Sequence, residues 1–235
     1  MFCVPLFMMF QFKGFHGPIL LLICFLLYGC GGFRVTNLAK GDIDFVADAH
    51  YGETQALLKS LCIKLYRRNP AELAKGDATE VNQRLGQLFS HAGPVRLAEL
   101  NFAQGTEALE LALDPSFGGD RVLALMAGLV GMYRHAYEYR AESFMFDQLD
   151  EQKLYQSARN TEILLWRLKA STAVGVRPLV LTNSLPGEPE NLSFERLFGK
   201  LIALQDMMAE IVSQQNDRLI NKVTQNVASM VFFPL

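Results

Sequence analysis

The stretch "RVLALMAGLVGMYRHAYEYRAE", Arg121–Glu142, decides the fold. Its centre, Val122–Met132, carries no charged residue on any face. A helix apolar all round lies inside a protein or a membrane, and a segment this short covers only about half of a ~30 Å bilayer core. The pattern therefore predicts a buried central helix. Asp120 stands where an N-cap belongs, and Ala124, Gly128 and Gly131 let neighbouring helices approach closely.

Outward from this helix the grammar is helix, stop, cap, helix. "ETQALLKSLCIKLYRR" sets Leu57, Leu58, Leu61 and Leu65 on one amphipathic stripe. Asn69-Pro70-Ala71-Glu72 reads as a fresh start, with Asn69 capping, Pro70 in the first turn and Glu72 reaching back. Gly76 stops that helix, and Asp77-Ala78-Thr79-Glu80 repeats the capping pattern before "VNQRLGQLFS". "TEALELALDP" ends at Asp114-Pro115, because proline cannot continue a helix. "DEQKLYQSARNTEILLWRLKA" carries Leu154, Ala158, Ile163, Leu165 and Leu168, with Trp166 near its end.

Residues 171–193, with three prolines and two glycines, read as an extended crossover that includes a brief strand. A long last helix follows: Phe194, Leu197, Leu201, Leu204, Met208, Ile211, Gln215, Leu219 and Val223 recur mostly by threes and fours. The tail "MVFFPL" is apolar enough to dock back on the domain. The fold class is all-α: a single helical domain of packed helix pairs with a long C-terminal helix, after an N-terminal signal segment.

Composition agrees with a folded core. Half of the 235 residues are hydrophobic and 20% are charged, with a net charge of −2. The near-neutral balance argues against a sequence-independent nucleic-acid binder, which needs a basic surface to displace counterions, so no nucleic-acid partner is expected.

The first residues have another character. Between Met1 and Gly29 the one formally charged residue is Lys13, and "GPILLLICFLLYG" follows as an uncharged apolar run. Its length of roughly a dozen residues suits a signal-peptide h-region and is short for a membrane span. The oily residues before Lys13 are unusual for an n-region, and a start at Met8 or Met9 instead of Met1 leaves a compact n-region of ordinary character.

Leu27-Tyr28-Gly29-Cys30 resembles the lipobox of bacterial lipoproteins, with an aliphatic residue three before a cysteine and a small residue just before it. Tyr28 departs from the pattern, where a small or modest aliphatic residue is usual, and this bears on processing efficiency. The resemblance implies a diacylglyceryl thioether on Cys30, cleavage between Gly29 and Cys30, and acylation of the new amino terminus by a palmitate-type chain. It also implies a membrane anchor through covalent lipid and a periplasm-facing domain. Gly31, in place of aspartate, is compatible with the outer membrane over the inner. The domain plan is then 1–29 signal peptide, 30–48 lipidated cysteine and tether, and 49–235 helical periplasmic domain. Of the four cysteines (Cys3, Cys24, Cys30 and Cys62), this leaves Cys62 as a lone core thiol. An uncleaved inner-membrane helix with Cys30 unmodified is the alternative.

Catalytic chemistry is not written in a motif. His50, His91 and His135 have no second ligand at metal-binding spacing, and no phosphate loop or nucleophile elbow occurs. No catalytic, cofactor-binding or metal-ligating residue is assigned. The densest polar cluster lies at Arg134–Asp147, where Arg134, His135, Glu138, Glu142 and Asp147 offer either an acid–base site or a solvated helix face. "LYRRNPAEL" and "ALELALDPSF" faintly resemble tetratricopeptide helix ends, but Pro70 and Pro115 lie farther apart than one repeat of about 34 residues. Two functions follow: a lipid-anchored domain for protein binding, scaffolding or envelope assembly and transport, or a lipid-anchored envelope enzyme using the Arg134–Asp147 cluster.

Overall fold

The computed structural model describes residues 42–142, 149–173, 178–182, 184–185, 187–216, 220 and 231–235. Lys40–Leu235 form one unit. The signal segment, Cys30 and Asp147 lie outside the described residues, as do Leu219 and Val223.

Seven helices and one short 3-10 turn, Ala98–Leu100, make up the regular structure of the described residues, which include no strand. The helices are α1 (Asp42–Arg68), α2 (Pro70–Leu73), α3 (Val81–Phe89), α4 (Gly105–Leu113), α5 (Arg121–Ala136), α6 (Glu151–Ala173) and α7 (Ser193–Asn216). The all-α expectation is met, while the brief strand expected in 171–193 is not formed by the described residues there.

The central helix is α5, and Val122–Met132 is buried along its whole length. Asp120 caps it as expected, accepting a 2.8 Å hydrogen bond from Leu123 N. α4 folds back on α5 as an antiparallel hairpin through Gly128, where an added Cβ would lie 2.6 Å from Leu109 and 2.8 Å from the Gly105 carbonyl. Any side chain at that position forces the two helices apart. Leu58, Leu61, Cys62 and Leu65 of α1 face the same core from another side.

α6 and α7 lie antiparallel. Lys169 pairs with Glu195, Arg159 with Asp206, and Asn216 donates to Glu151, so the register runs in opposite directions along the two helices. The buried stripe of α7 is Phe194, Phe198, Leu201, Gln205, Met208 and Val212. It is rotated slightly from the expected one, and it includes a polar residue. Gln205 is satisfied by Ser157 of α6 and Thr54 of α1, a buried polar bridge among three helices.

Three local expectations are corrected. The tether expected over 30–48 gives way to helix at Asp42, because Ala47 and Ile43 pack with Tyr137, Met208 and Val212 in a second apolar cluster. Asn69 precedes α2, but its side chain makes no cap there. Its amide instead bonds Leu65 O and pairs with both backbone groups of Leu181, at 2.9 and 2.7 Å, tying down the crossover. Glu72 turns forward to the N terminus of α5, accepting from Arg121 N at 2.9 Å and pairing with Lys75. The capping pattern before α3 does close, with Gln83 reaching back to the Thr79 and Glu80 amides.

Candidate functional site

The polar cluster of the sequence sits where α5 ends. α5 stops at Ala136, and Tyr139 N closes the turn by donating to Arg134 O at 2.7 Å. Glu138 and Tyr139 then take left-handed backbone, φ +54° and +56°, an uncommon conformation for residues with side chains. The expected helix face linking Arg134, Glu138 and Glu142 therefore does not exist as a face.

Its members separate. Arg134 is buried, and its guanidinium donates to the carbonyls of Leu88 at 2.7 Å and Gly93 at 3.2 Å. Burial lowers its pKa, while Tyr51 acts in the opposite direction. Arg134 thus ties the end of α3 and the following loop to the core. Glu138 pairs with Lys153 of α6 at 2.7 Å, and Glu142 is exposed.

His135 and Tyr139 remain together. Their rings stack with centroids 5.4 Å apart, and both line a cavity of about 280 Å³ between the start of α4 and the end of α5. Gln104, Gly105, Thr106 and Glu107 form its rim, while Gly131, Met132, Val95 and Leu235 complete the wall. The volume is just below the usual range for small-molecule pockets, so it suits a small polar group or one side chain.

The loop before α4 sets the rim. The 3-10 turn ends in left-handed Asn101, and Phe102, also left-handed, donates to Leu97 O. Gly105 supplies a third positive φ of +50°, which brings the first turn of α4 against Gly131.

Burial, first, and Lys153, second, hold His135 below the ordinary histidine pKa, with Glu138 and Asp150 opposing. The neutral imidazole is thus favoured around neutrality, able to donate through one nitrogen and accept through the other. Burial raises the Tyr139 phenol, which stays protonated and can donate. Glu107 adds a carboxylate at the rim. Together these groups can hydrogen-bond a small polar moiety.

A second charged cluster marks the start of α5. Asp120 accepts from Tyr66 at 2.8 Å and lies 3.2 Å from Arg84, which also binds both oxygens of Glu99 at 2.6 and 2.8 Å. Arg121 donates to the carbonyls of Ala112, Asp114, Pro115 and Phe117. These groups are tied into the fold, Arg84 donating also to Gln87 and Glu99 accepting also from Asp77 N, while Arg84 Nε is buried without a partner. Cys62 lies beside them, buried, with burial pushing its thiol up to about 12, as an inert core residue requires.

Sequence reasoning found His135 and the region of Tyr139, but missed Gln104, Thr106, Glu107 and Leu235. Those come from segments remote in the chain, brought together by the α4–α5 hairpin and the tail. The left-handed turn at 138–139 had no glycine or asparagine to announce it.

Among the described residues no group of three or more His, Cys, Asp or Glu side chains is placed to hold a metal ion. Among them, too, no helix is long and apolar enough to cross a membrane. No protein-family model, curated protein or solved structure matches this chain.

Proposed function

We propose that this chain is a bacterial lipoprotein, anchored through lipid on Cys30, whose helical domain faces the periplasm and works by binding protein partners in the cell envelope. The observation that carries the anchor is Leu27-Tyr28-Gly29-Cys30 at the foot of an apolar run. A single acyl chain holds a membrane only marginally, whereas several hold it firmly, so a triacylated Cys30 needs no apolar surface elsewhere. The binding role is supported by the way the polar groups of the domain are used. Arg134 holds the Leu88 and Gly93 carbonyls, and Arg84, Asp120 and Glu99 are engaged with one another and with Tyr66 and Gln87 in holding the fold.

The test is intact mass spectrometry of the membrane-extracted protein beside a Cys30→Ala control. A chain that begins at Cys30 and carries acyl mass, lost in the control, is the expected result. A chain retaining residues 1–29, or cut elsewhere without lipid, overturns the anchor and leaves a simple membrane segment or a secreted protein.

One observation favours the second reading, a lipid-anchored enzyme: His135, Tyr139 and Glu107 share one cavity. Alanine at His135 separates the readings, with alanine at exposed Glu142 as the companion variant. Loss of the cellular function with thermal stability and partner binding both unchanged supports the enzyme, and retained function supports binding.

A further inference from the structure

Residues 231–235 lie on the domain through both side chain and backbone: Phe232 is part of the main core, and Phe233 and Leu235 pack against it. Asn160 of α6, fully buried, donates from Nδ2 to the Phe233 carbonyl at 3.0 Å and accepts from Phe233 N at 2.7 Å. A primary amide that meets both polar groups of one residue recognises an extended strand whatever its sequence. Beside it, the Phe232 ring enters the main core under the Arg167 guanidinium, 5.0 Å from the ring centre. Arg167 is itself fixed by both oxygens of Glu110 on α4, at 2.6 and 2.8 Å. At the far end Leu235 forms part of the wall of the His135 cavity without filling it.

The seat is therefore built from α4, α5 and α6 and has three parts: an aromatic slot at Arg167, a backbone clamp at Asn160, and a partly empty cavity at His135. The side-chain contacts are led by buried Phe232, with half-buried Phe233 and Leu235 packed on the same core, while Val231 is largely exposed and Pro234 is exposed. A seat that selects one aromatic and clamps the next peptide unit accepts other chains that offer the same two features.

We propose that this face is a binding groove for an extended apolar peptide on a partner protein, an aromatic residue followed by a free backbone N–H, and that residues 231–235 are its intramolecular occupant. The inference deepens the protein-binding reading above and is independent of the lipid anchor. As part of the same chain, residues 231–235 compete intramolecularly, so they set a threshold that an incoming segment must exceed.

The test uses the full chain and a fluorescent peptide of residues 230–235. Phe233→Pro in the chain removes the N–H that Asn160 accepts, and Phe232→Ala empties the slot; neither substitutes a residue of α4, α5 or α6. The double variant is expected to bind the peptide saturably and about tenfold or more tightly than the unaltered chain, whose own tail competes. Adding Asn160→Ala is expected to weaken that binding about tenfold or more, because two part-buried hydrogen bonds go. A competing peptide with Phe233→Leu should displace the probe, since its backbone is intact, whereas one with Phe233→Pro should not.

Three results overturn the proposal. One is no saturable binding to a double variant that keeps its helical circular dichroism. Another is binding indifferent to Asn160→Ala. The third is loss of the fold in both the double variant and Phe233→Pro alone, which makes the tail a fixed part of the core. In any of these cases the mass-spectrometric result on Cys30, and partner binding through another face, stand or fall separately.

Discussion

The two ends of α5 use the same residue types, arginine, carboxylate and tyrosine, in opposite circumstances. At the start, Asp120, Arg84, Glu99 and Tyr66 are paired with one another, and Arg121 is bonded to four carbonyls. At the end, Arg134 is bonded to backbone, but His135 and Tyr139 face a cavity and the chain turns through two left-handed residues. Buried charges that satisfy one another fix a geometry, because removing one leaves the others uncompensated. Groups beside a cavity, on strained backbone, are free to meet something else.

The largest expected effect tests the closed end. Asp120→Ala removes the cap of α5, the acceptor of Tyr66 and one partner of Arg84, and should cost about 3–5 kcal/mol. Urea unfolding measures it. A loss below about 1 kcal/mol would mean that the cluster is solvated and the contrast between the two ends is mistaken. Arg134→Met should cost less, about 1–3 kcal/mol, since it leaves two carbonyls without donors but strands no buried charge. If it equals Asp120→Ala, the second end is as interlocked as the first.

How much of this contrast the chain declares in advance depends on range. The buried centre of α5, its Asp120 cap, the α1 stripe and the stop at Asp114-Pro115 are local patterns of period and punctuation, and all are found in place. Asn69 and Glu72 have the right residue types for a cap, yet both turn to distant partners, Leu181 and Arg121, which no local pattern contains. Burial overrides propensity in the same way at Gln205, a polar residue inside the α7 stripe whose partners lie on α1 and α6. The cavity was legible only at His135 and the region of Tyr139, because its other walls arrive by tertiary folding. The tail was expected to dock for its apolarity, but the Asn160 clamp that holds it has no sequence signature.

A smaller effect, of opposite sign, tests the strained end. Glu138 holds φ +54° and pairs with Lys153 at a partly exposed site. Left-handed backbone costs a side-chain-bearing residue roughly 1–2 kcal/mol, while an exposed ion pair contributes about 0–1 kcal/mol. Glycine also loses more entropy on folding, so Glu138→Gly should stabilise the domain by about 0.5 kcal/mol. A destabilised variant would show that the turn is held by its side chain and not merely tolerated.

The smallest effect comes from His135, and its sign is fixed by the direction of its shift. Burial, then Lys153, lower its pKa in the folded protein, against Glu138 and Asp150. Glu107 and Tyr139 are the other titratable groups at the same cavity. The unfolded chain therefore takes up the proton first, near pH ~6.5. Stability that depends on neutral His135 is fully present above that pH and is lost as pH falls toward the depressed folded value. Denaturant midpoints of the natural chain and His135→Gln, compared between pH ~7.5 and ~5, should show the natural chain losing ground as acid is added. A difference that does not change with pH would mean the imidazole is solvated as in an open loop, and the cavity would lose its claim to differ from the surface. Lys153→Met separates the two causes. It should move the His135 titration, followed by proton NMR, only part of the way back to its ordinary value, because burial is the larger cause and the cavity wall remains.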